Sequence, residues 1–154
     1  MPDIEIVTTA ARPELIPVAS AWLWREWGIR RGRTLEQVTA LVAARTAAQG
    51  PEQTFVLLDA GQPAATASFV HHDLDPRPDL TPWLASVFVH PDFRGRGHAP
   101  RVVAAVETSA RAAGIATLYL DTNTAAPLYA RLGWVVFDES FDLGAPVTLM
   151  RRDL

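Results

Sequence analysis

Residues 87–99 read Val-Phe-Val-His-Pro-Asp-Phe-Arg-Gly-Arg-Gly-His-Ala, which predicts an apolar strand, a short turn and a glycine-containing loop that opens into a helix. The first four N–H groups of a helix lack intrahelical partners, and the peptide dipoles place about half a positive charge there. Two glycines allow the backbone to curve inward, and two arginines add positive charge. The segment therefore predicts a pocket for the diphosphate of a nucleotide-bearing cofactor whose extended arm lies along the strand.

The same loop admits two other interpretations. Gly-Arg-Gly between a strand and a helix can be a plain flexible connection. A dinucleotide fingerprint requires a third glycine where Pro100 stands and an acidic residue about 20 positions further on, for which Asp121 is the candidate. Pro100, and the position of the strand in the middle of the chain, argue against a dinucleotide site.

Composition is that of an ordinary globular protein. The chain has 154 residues, 49% of them hydrophobic and 20% charged, and we expect one domain over residues 1–154. A net charge of −3 gives no reason to expect a nucleic-acid partner. The chain has no cysteine, which excludes thiolate catalysis, and no lysine, which excludes a Schiff base; no metal site is expected. No apolar run approaches the roughly 20 residues of a membrane span, and residues 1–5 lack a signal pattern, so we expect a cytoplasmic protein without a membrane partner.

Hydrophobic periodicity predicts elements in the order βααβββαβαββ, an α/β fold with a mixed sheet and helices on both faces. The predicted strands are 4–8, 53–60, 64–72, 82–89, 115–121, 134–137 and 147–151. The predicted helices begin at Pro13, at the capping box of Thr34 and Gln37, after Ala99 and at Thr124, and the last three end at Gly50, Gly114 and Gly133. Strand 64–72 is small or apolar on both faces and is expected in mid-sheet. Glu107 and Arg111 are expected to pair on the outer face of the third helix.

A second segment, residues 123–134, reads Asn-Thr-Ala-Ala-Pro-Leu-Tyr-Ala-Arg-Leu-Gly-Trp. On its own it is a short helix in which Tyr129 is most often a half-buried core residue. Together the two segments resemble the GNAT superfamily of acetyl-CoA-dependent N-acetyltransferases. Residues 94–99 satisfy the family's Gln/Arg-x-x-Gly-x-Gly/Ala motif, and residues 123–134 match its second region, with Trp134 as the final aromatic residue. The resemblance extends over residues 4–151, although His98 replaces a usually aliphatic residue and Pro100 removes one N–H donor.

The resemblance implies a GNAT-like fold and direct transfer of the acetyl group of acetyl-CoA to a primary amine of a small molecule. It implies that the strand residues Val87, Phe88 and Val89 pair with the pantetheine arm, and that one strand N–H polarises the thioester carbonyl. The other cofactor-binding residues that it implies are Arg94, Gly95, Arg96, Gly97, His98, Ala99, Asn123 and Tyr129. It also implies a homodimer as one form of assembly.

For the departing CoA thiolate, the resemblance implies Tyr129 as the general acid, and the alternative is that this ring only packs against the sulfur. The attacking amine needs a base, or a water molecule leading to one, because an alkylamine is largely protonated at pH 7. The base candidates lie where the hairpin strand and its following loop approach the cleft: His71, His72, Asp73, Asp75 and Asp79. Asp73 and His71 are the two that we retain, with a solvated loop as the alternative role.

The acceptor side is expected near the end of the first helix, where aromatic and basic residues alternate. They are Trp22, Trp24, Trp27, Arg25, Arg30, Arg31 and Arg33. Tryptophans would favour a hydrophobic or cationic amine, and arginines an acceptor with a carboxylate or phosphate; core packing and a solvated loop are the alternatives. Two other functions stay open: a non-catalytic acyl-CoA-binding sensor or regulator, and an N-acetyltransferase acting on a protein or peptide.

Overall fold

The computed structural model describes residues 3–154, which form a seven-stranded mixed sheet flanked by helices. The strands are β1 (Ile4–Thr8), β2 (Gln53–Asp59), β3 (Gln62–Val70), β4 (Trp83–Val89), β5 (Thr117–Thr122), β6 (Val135–Asp142) and β7 (Ala145–Asp153). They lie in the order β1-β2-β3-β4-β5-β7-β6. Neighbouring strands are antiparallel except β4 and β5, which run parallel. The α/β class with a mixed sheet is confirmed.

The four helices are α1 (Ile16–Leu23), α2 (Leu35–Ala43), α3 (His98–Ala112) and α4 (Ala126–Arg131). A 3₁₀ turn at Pro13–Leu15 leads into α1, and a wide π turn at Trp24–Gly28 follows it. The element order is therefore the predicted one. Among residues 3–154, none of the helices combines the length and the apolar character that crossing a membrane requires.

Helix α2 begins as predicted and ends earlier. The Thr34 hydroxyl accepts from the Gln37 N–H at 3.1 Å, and the Gln37 side chain accepts from the Thr34 N–H at 2.9 Å, which is the capping box. The helix ends at Ala43 rather than at Gly50. Beyond it Arg45 turns inward to donate to two hydroxyl groups of the sheet, and these contacts replace further helical turns.

The core lies on both faces of the central strands. Residues 64–70 of β3 are all buried, which confirms the predicted mid-sheet position. On one face Phe55 and Leu57 pack with Val102 and Val106 of α3. On the other face apolar residues of β2 and of the first two helices pack together: Leu15, Ala19, Trp22, Leu23, Val38, Val42, Val56 and Leu58. The alternation of β2 explains this division, because successive side chains point to opposite faces.

Strands β4 and β5 separate soon after they meet. Their pairing is limited to Trp83 opposite Tyr119. Farther along β4 the backbone of Ser86 has φ of 56°, and the register with β3 shifts between Thr66 and Ser68. Such an irregularity bends a strand and turns it away from its neighbour. The second half of β4 therefore offers an edge to the space between the two strands.

Candidate active site

The glycine loop (residues 94–99) connects β4 to α3. Gly95 and Gly97 have φ of 80° and 78°, in the left-handed region that glycine adopts without strain, and Gly97 is the N-cap of α3. A cavity of about 340 Å³ is lined by Val89, Arg94, Gly95, Gly97, His98, Ala99 and Pro100. Since the first N–H groups of α3 have no partners within the helix, this cavity suits an anion such as a diphosphate.

The buried carboxylate of Asp59 contacts two residues of the glycine loop. Asp59, at the end of β2, accepts from Arg96 Nη1 at 3.0 Å and lies 2.9 Å from His98 Nε2. Arg101 Nη1 lies 3.0 Å from His98 Nδ1, and because arginine only donates, the histidine proton is on Nε2 and points to Asp59. The hydrogen bonds from His98 and Arg96 hold the pKa of Asp59 below its ordinary value, against the opposing effect of desolvation.

This network accounts for the unusual histidine of the motif. His98 is 2% exposed and connects the first turn of α3 to β2, where an aliphatic residue would only pack. The network includes one of the two arginines of the loop, Arg96, and not Arg94. Arg96 pairs with Asp59 and lies over the Phe93 ring at 5.1 Å. Arg94 lines the cavity and donates from Nε to the Val89 carbonyl at 3.1 Å.

A second cavity of about 360 Å³, the inter-strand cavity, lies where β4 and β5 separate. It is lined by residues 84–87 of β4, by residues 120–125, by Tyr129 of α4 and by the segment between α1 and α2. The charged residues on its walls are Glu26, Arg30, Arg31, Arg33, Arg45, Asp73, Asp121 and Asp142. Val87 lines this cavity and Val89 lines the glycine-loop cavity, so both cavities follow one face of β4. Phe88 points to the opposite face and packs against Trp22, with ring centroids 5.5 Å apart.

Tyr129 is buried at the wall of the inter-strand cavity. Its ring is 8% exposed and meets Trp134 edge-on, with centroids 6.3 Å apart. Burial, and then the nearby charge of Asp121, raise the pKa of the phenol to about 12. The hydroxyl group therefore carries its proton throughout the neutral pH range.

Two carboxyl groups of this cavity, those of Asp73 and Asp121, have raised pKa values, in contrast to Asp59. Desolvation, then the charge and contact of Asp73, raise the pKa of Asp121 to about 8. Desolvation also raises the pKa of Asp73, a residue that lines the cavity and keeps an exposed surface. Asp142 forms an ion pair with Arg31 at 2.6 Å.

Arg45 is the most enclosed cation of the cavity. It donates from Nη1 to the hydroxyl groups of Thr54 at 3.2 Å and Ser68 at 3.0 Å, and its Nε lies 3.9 Å from Glu52. Desolvation lowers the pKa of Arg45 because these partners replace water incompletely. An anionic group entering the cavity would compensate this charge.

The structure separates the base candidates. All five candidates are exposed; Asp73 is the one that lines the inter-strand cavity, and His71, His72, Asp75 and Asp79 lie outside its lining. The His71 N–H donates to Glu52 at 2.6 Å, and its carbonyl accepts from Thr81 at 2.7 Å, so these contacts hold the backbone of the loop.

The acceptor-side residues are also divided. Trp27, Arg30, Arg31 and Arg33 line the inter-strand cavity, and Arg25 does not. Trp22 packs in the core, and Trp24 donates from Nε1 to the Arg33 carbonyl at 3.0 Å. Asn123 lines the cavity and donates to the Pro146 carbonyl at 3.4 Å.

Sequence reasoning missed Asp121, Asp142 and Arg45 as residues of the cavity. Asp121 had been considered only as the acid of a dinucleotide fingerprint. Its place at the end of an apolar strand was the available signal, since such a carboxyl group lies at a sheet edge. Although four carboxyl groups line the cavity, no cluster of metal-ligating side chains occurs within the described residues 3–154.

Comparisons with known proteins agree with this geometry. The acetyltransferase (GNAT) family model matches residues 16–134. A comparison with curated proteins gave no match. Among solved structures, an acetyltransferase of the GNAT family from Streptococcus pneumoniae is 15% identical, with 99% of each chain covered and a TM-score of 0.71.

Two further similar structures contain coenzyme A or acetyl-CoA. An aminoglycoside 6'-N-acetyltransferase complexed with coenzyme A is 14% identical, with 97% of this chain and 96% of that chain covered and a TM-score of 0.75. The yncA protein of Salmonella typhimurium, solved with its cofactor acetyl-CoA, is 19% identical, with 99% and 94% covered and a TM-score of 0.67. At these identities the likeness establishes the fold, and the family model carries the assignment. The chain belongs to the acetyltransferase (GNAT) family.

Proposed function

We propose that this protein transfers the acetyl group of acetyl-CoA to a primary amine of a small molecule by direct attack. The observation that carries the proposal is the course of β4, whose edge runs from the glycine-loop cavity to the inter-strand cavity. A diphosphate at one end and a thioester at the other fit a single extended ligand along this strand. Family membership, and the bound coenzymes of the similar structures, support the same donor.

The residues of the glycine loop fit the donor's diphosphate. The left-handed backbone at Gly95 and Gly97 brings the start of α3 against the cavity, and the amides of residues 95–99 would hold the anion. Arg94 and Arg96 would add charge. Backbone groups of Val87, Phe88 and Val89, together with Asn123, would hold the pantetheine arm. The bound thioester supplies the acetyl group and a thiolate leaving group.

Tyr129 would donate its hydroxyl proton to the departing sulfur. A phenol with a pKa of about 12 is a weaker acid than a free thiol, whose pKa is about 8.5. Burial would also raise the pKa of the CoA thiol in this cavity. The difference in pKa between phenol and thiol would therefore be smaller there than these two values indicate. General acid catalysis of this kind contributes about 10²–10⁴-fold to a rate.

The acceptor would be a small polar amine that carries an anionic group. One tryptophan, Trp27, lines the inter-strand cavity, compared with four arginines. The enclosed Arg45 lacks a full counter-charge, and a carboxylate or phosphate of the acceptor would supply it. Asp73, the base candidate that lines the cavity, would attract the acceptor's ammonium group.

The test is release of CoA from acetyl-CoA with a panel of amines, arranged as matched pairs of an amino acid and its amide or methyl ester. The expected result is turnover that is faster with the anion-bearing member of each pair. Saturating acetyl-CoA at about 100 times its Kd should also stabilise the fold by about 2.7 kcal/mol. A melting shift without turnover would favour an acyl-CoA sensor, and turnover with peptides alone would favour a protein acetyltransferase.

A further inference from the structure

The side chain of Glu107, on α3, is buried against the indole of Trp134, the residue that precedes β6. Trp134 is 2% exposed and Glu107 is 7% exposed. The Trp134 Nε1–H donates to Glu107 Oε2 at 3.1 Å. A buried indole N–H needs an acceptor, which a phenylalanine at the same position would not need. The carboxyl group of Glu107 supplies that acceptor.

Two arginines fix the Glu107 carboxyl group in this position. Nε of Arg152, on β7, lies 3.2 Å from Oε1, and Nη2 of Arg111, one helical turn further along α3, lies 3.8 Å from the same oxygen. The other oxygen, Oε2, is left for the indole. Gly133 has φ of 95°, and a side chain there would collide with the Arg152 guanidinium group. The turn before Trp134 is thus shaped to admit the arginine that reaches Glu107.

Trp134 in turn contacts Tyr129 through its backbone and through its ring. Its N–H donates to the Tyr129 carbonyl at 3.0 Å, and the two rings meet edge-on with centroids 6.3 Å apart. Tyr129 lies in α4, a helix of six residues, and its side chain forms part of the wall of the inter-strand cavity. The hydroxyl oxygen lies in the plane of the ring, so the packing of the ring decides where that oxygen points.

The helix that carries Glu107 also forms the diphosphate end of the proposed donor site. Helix α3 begins at His98 against the glycine-loop cavity, and Glu107 follows about 14 Å further along the helix axis. The contacts from Glu107 to Trp134 and from Trp134 to Tyr129 therefore fix the phenol relative to the helix whose N-terminus faces the diphosphate.

We propose that Glu107 is a positioning residue: it fixes the indole of Trp134, and the indole fixes the Tyr129 ring so that the phenol faces the sulfur of CoA. This inference rests on the function proposed above and on the role of Tyr129 in it. Glu107 lies outside the linings of both cavities, so it acts through Trp134 and not by touching the donor. Without the hydrogen bond the rings can shift, and a misplacement of about 1 Å lowers a rate by up to about 100-fold.

The first test is the ¹H–¹⁵N NMR signal of the Trp134 indole N–H, which is identified by its loss in Trp134→Phe. Glu107→Leu removes the acceptor, so the indole proton should move upfield and exchange faster with solvent. Arg111→Gln is the matched control, because Arg111 approaches the same carboxyl group without a contact to the indole, and its spectrum should keep the wild-type signal. An unchanged Trp134 signal in Glu107→Leu would overturn the inference.

The second test is a double-mutant cycle in CoA-release assays. We expect Glu107→Leu to lower kcat about tenfold and to change the KM of acetyl-CoA less than about twofold. In the Tyr129→Phe background the same substitution should lower kcat by less than about twofold, because the hydroxyl group that Glu107 positions is gone. Glu107→Gln keeps an acceptor oxygen and the shape of the side chain, and kcat should stay within about threefold of the wild-type value.

Three outcomes would contradict the positioning role. Equal losses from Glu107→Leu with and without the Tyr129 hydroxyl would mean a general loss of structure. Equal losses in Glu107→Leu and Glu107→Gln would mean that the charge opposite Arg152 matters and the indole hydrogen bond does not. Trp134→Phe repeats the cycle from the donor side of that bond if Glu107→Leu does not fold, and a wild-type kcat in this variant would also overturn the inference.

Failure of the proposed function gives a different pattern. Absence of turnover with every amine would overturn that function, and the positioning role with it. The NMR signal of the Trp134 indole reports on its contact with Glu107 without any donor or acceptor, so it separates the two failures.

Discussion

Asp59 beneath the glycine loop and Asp121 in the inter-strand cavity differ in the donors that reach their carboxyl groups. Asp59 has His98 and Arg96, and its pKa is lowered. Within residues 3–154 no donor reaches the buried Oδ2 of Asp121, and desolvation, then the charge of Asp73, raise its pKa to about 8. The first carboxylate holds a loop in one conformation, whereas the second can exchange a proton near neutral pH. Both carboxyl groups are shielded from water, yet their pKa values shift in opposite directions. The presence or absence of hydrogen-bond donors decides the direction.

The two regions should also differ in kinetics. Substitutions in the inter-strand cavity should lower kcat, and substitutions in the glycine loop should raise the KM of acetyl-CoA. The largest expected effect is that of Tyr129→Phe, which keeps the ring and its packing against Trp134 but removes the proton. We expect kcat to fall about 100-fold or more in CoA-release assays. Tyr119→Phe is the matched control, since Tyr119 packs between Trp83 and Phe137 outside both cavities. Equal rates for the two variants would mean that the phenol only packs.

A smaller effect is expected in the glycine loop. Gly97→Val forces a β-branched residue to φ of 78°, at a cost of about 1–2 kcal/mol, and distorts the N-terminus of α3. The KM of acetyl-CoA should rise about tenfold, with kcat changed less than twofold. Gly114→Val carries the same backbone cost at φ of 76° but lies after α3, away from both cavities. If both variants weaken acetyl-CoA equally, the effect is one of stability and not of the loop.

The pH dependence of stability should have opposite signs in the two regions. The lowered pKa of Asp59 contributes stability that is present above the unfolded value of about 3.9 and is lost as the pH falls through the folded value. The raised pKa of Asp121 acts in reverse: its contribution is full below about pH 3.9 and is lost as the pH rises through about 8. Melting temperatures from pH 6 to 9 should therefore fall in the wild-type protein and fall less in Asp121→Asn. Parallel curves for the two proteins would contradict the raised pKa.

The smallest effect should come from Asp142→Asn. Asp142 raises the pKa of Asp73 and of Asp121 through its charge, and it also pairs with Arg31. Removing its charge should lower the pKa of Asp121, measured by NMR with ¹³C at the carboxyl carbon, by less than one unit. Exposed Asp138, which pairs with Arg77, is the control carboxylate, and Asp138→Asn should leave the pKa of Asp121 unchanged. An upward shift for Asp142→Asn would show that its ion pair with Arg31 matters more than its charge.

The glycine loop could be predicted from the sequence because its parts are neighbours in the chain. Residues 94–99 contain both the glycines and the start of α3, so local rules suffice. The inter-strand cavity depends on the separation of β4 from β5 at the irregular backbone of Ser86, which no local pattern indicates. Asp73 and Asp121 line one cavity because of that separation.

Other differences from the sequence prediction have the same origin. Glu107 was expected on the outer face of α3, yet it is 7% exposed and accepts from Trp134 Nε1 at 3.1 Å. The predicted contact with Arg111 is present at 3.8 Å, and Arg152 of β7 approaches the same carboxyl group at 3.2 Å. Trp134 and Arg152, from later elements, cover Glu107 and bind its carboxyl group. Helical periodicity alone does not predict such partners.

The most direct test of the account is a crystal structure of the protein with acetyl-CoA. The account predicts the diphosphate on the amides of residues 95–99, the pantetheine arm along Val87 and Val89, and the sulfur within about 3.5 Å of the Tyr129 hydroxyl. A coenzyme bound away from the glycine loop, or a sulfur outside hydrogen-bonding reach of Tyr129, would contradict it.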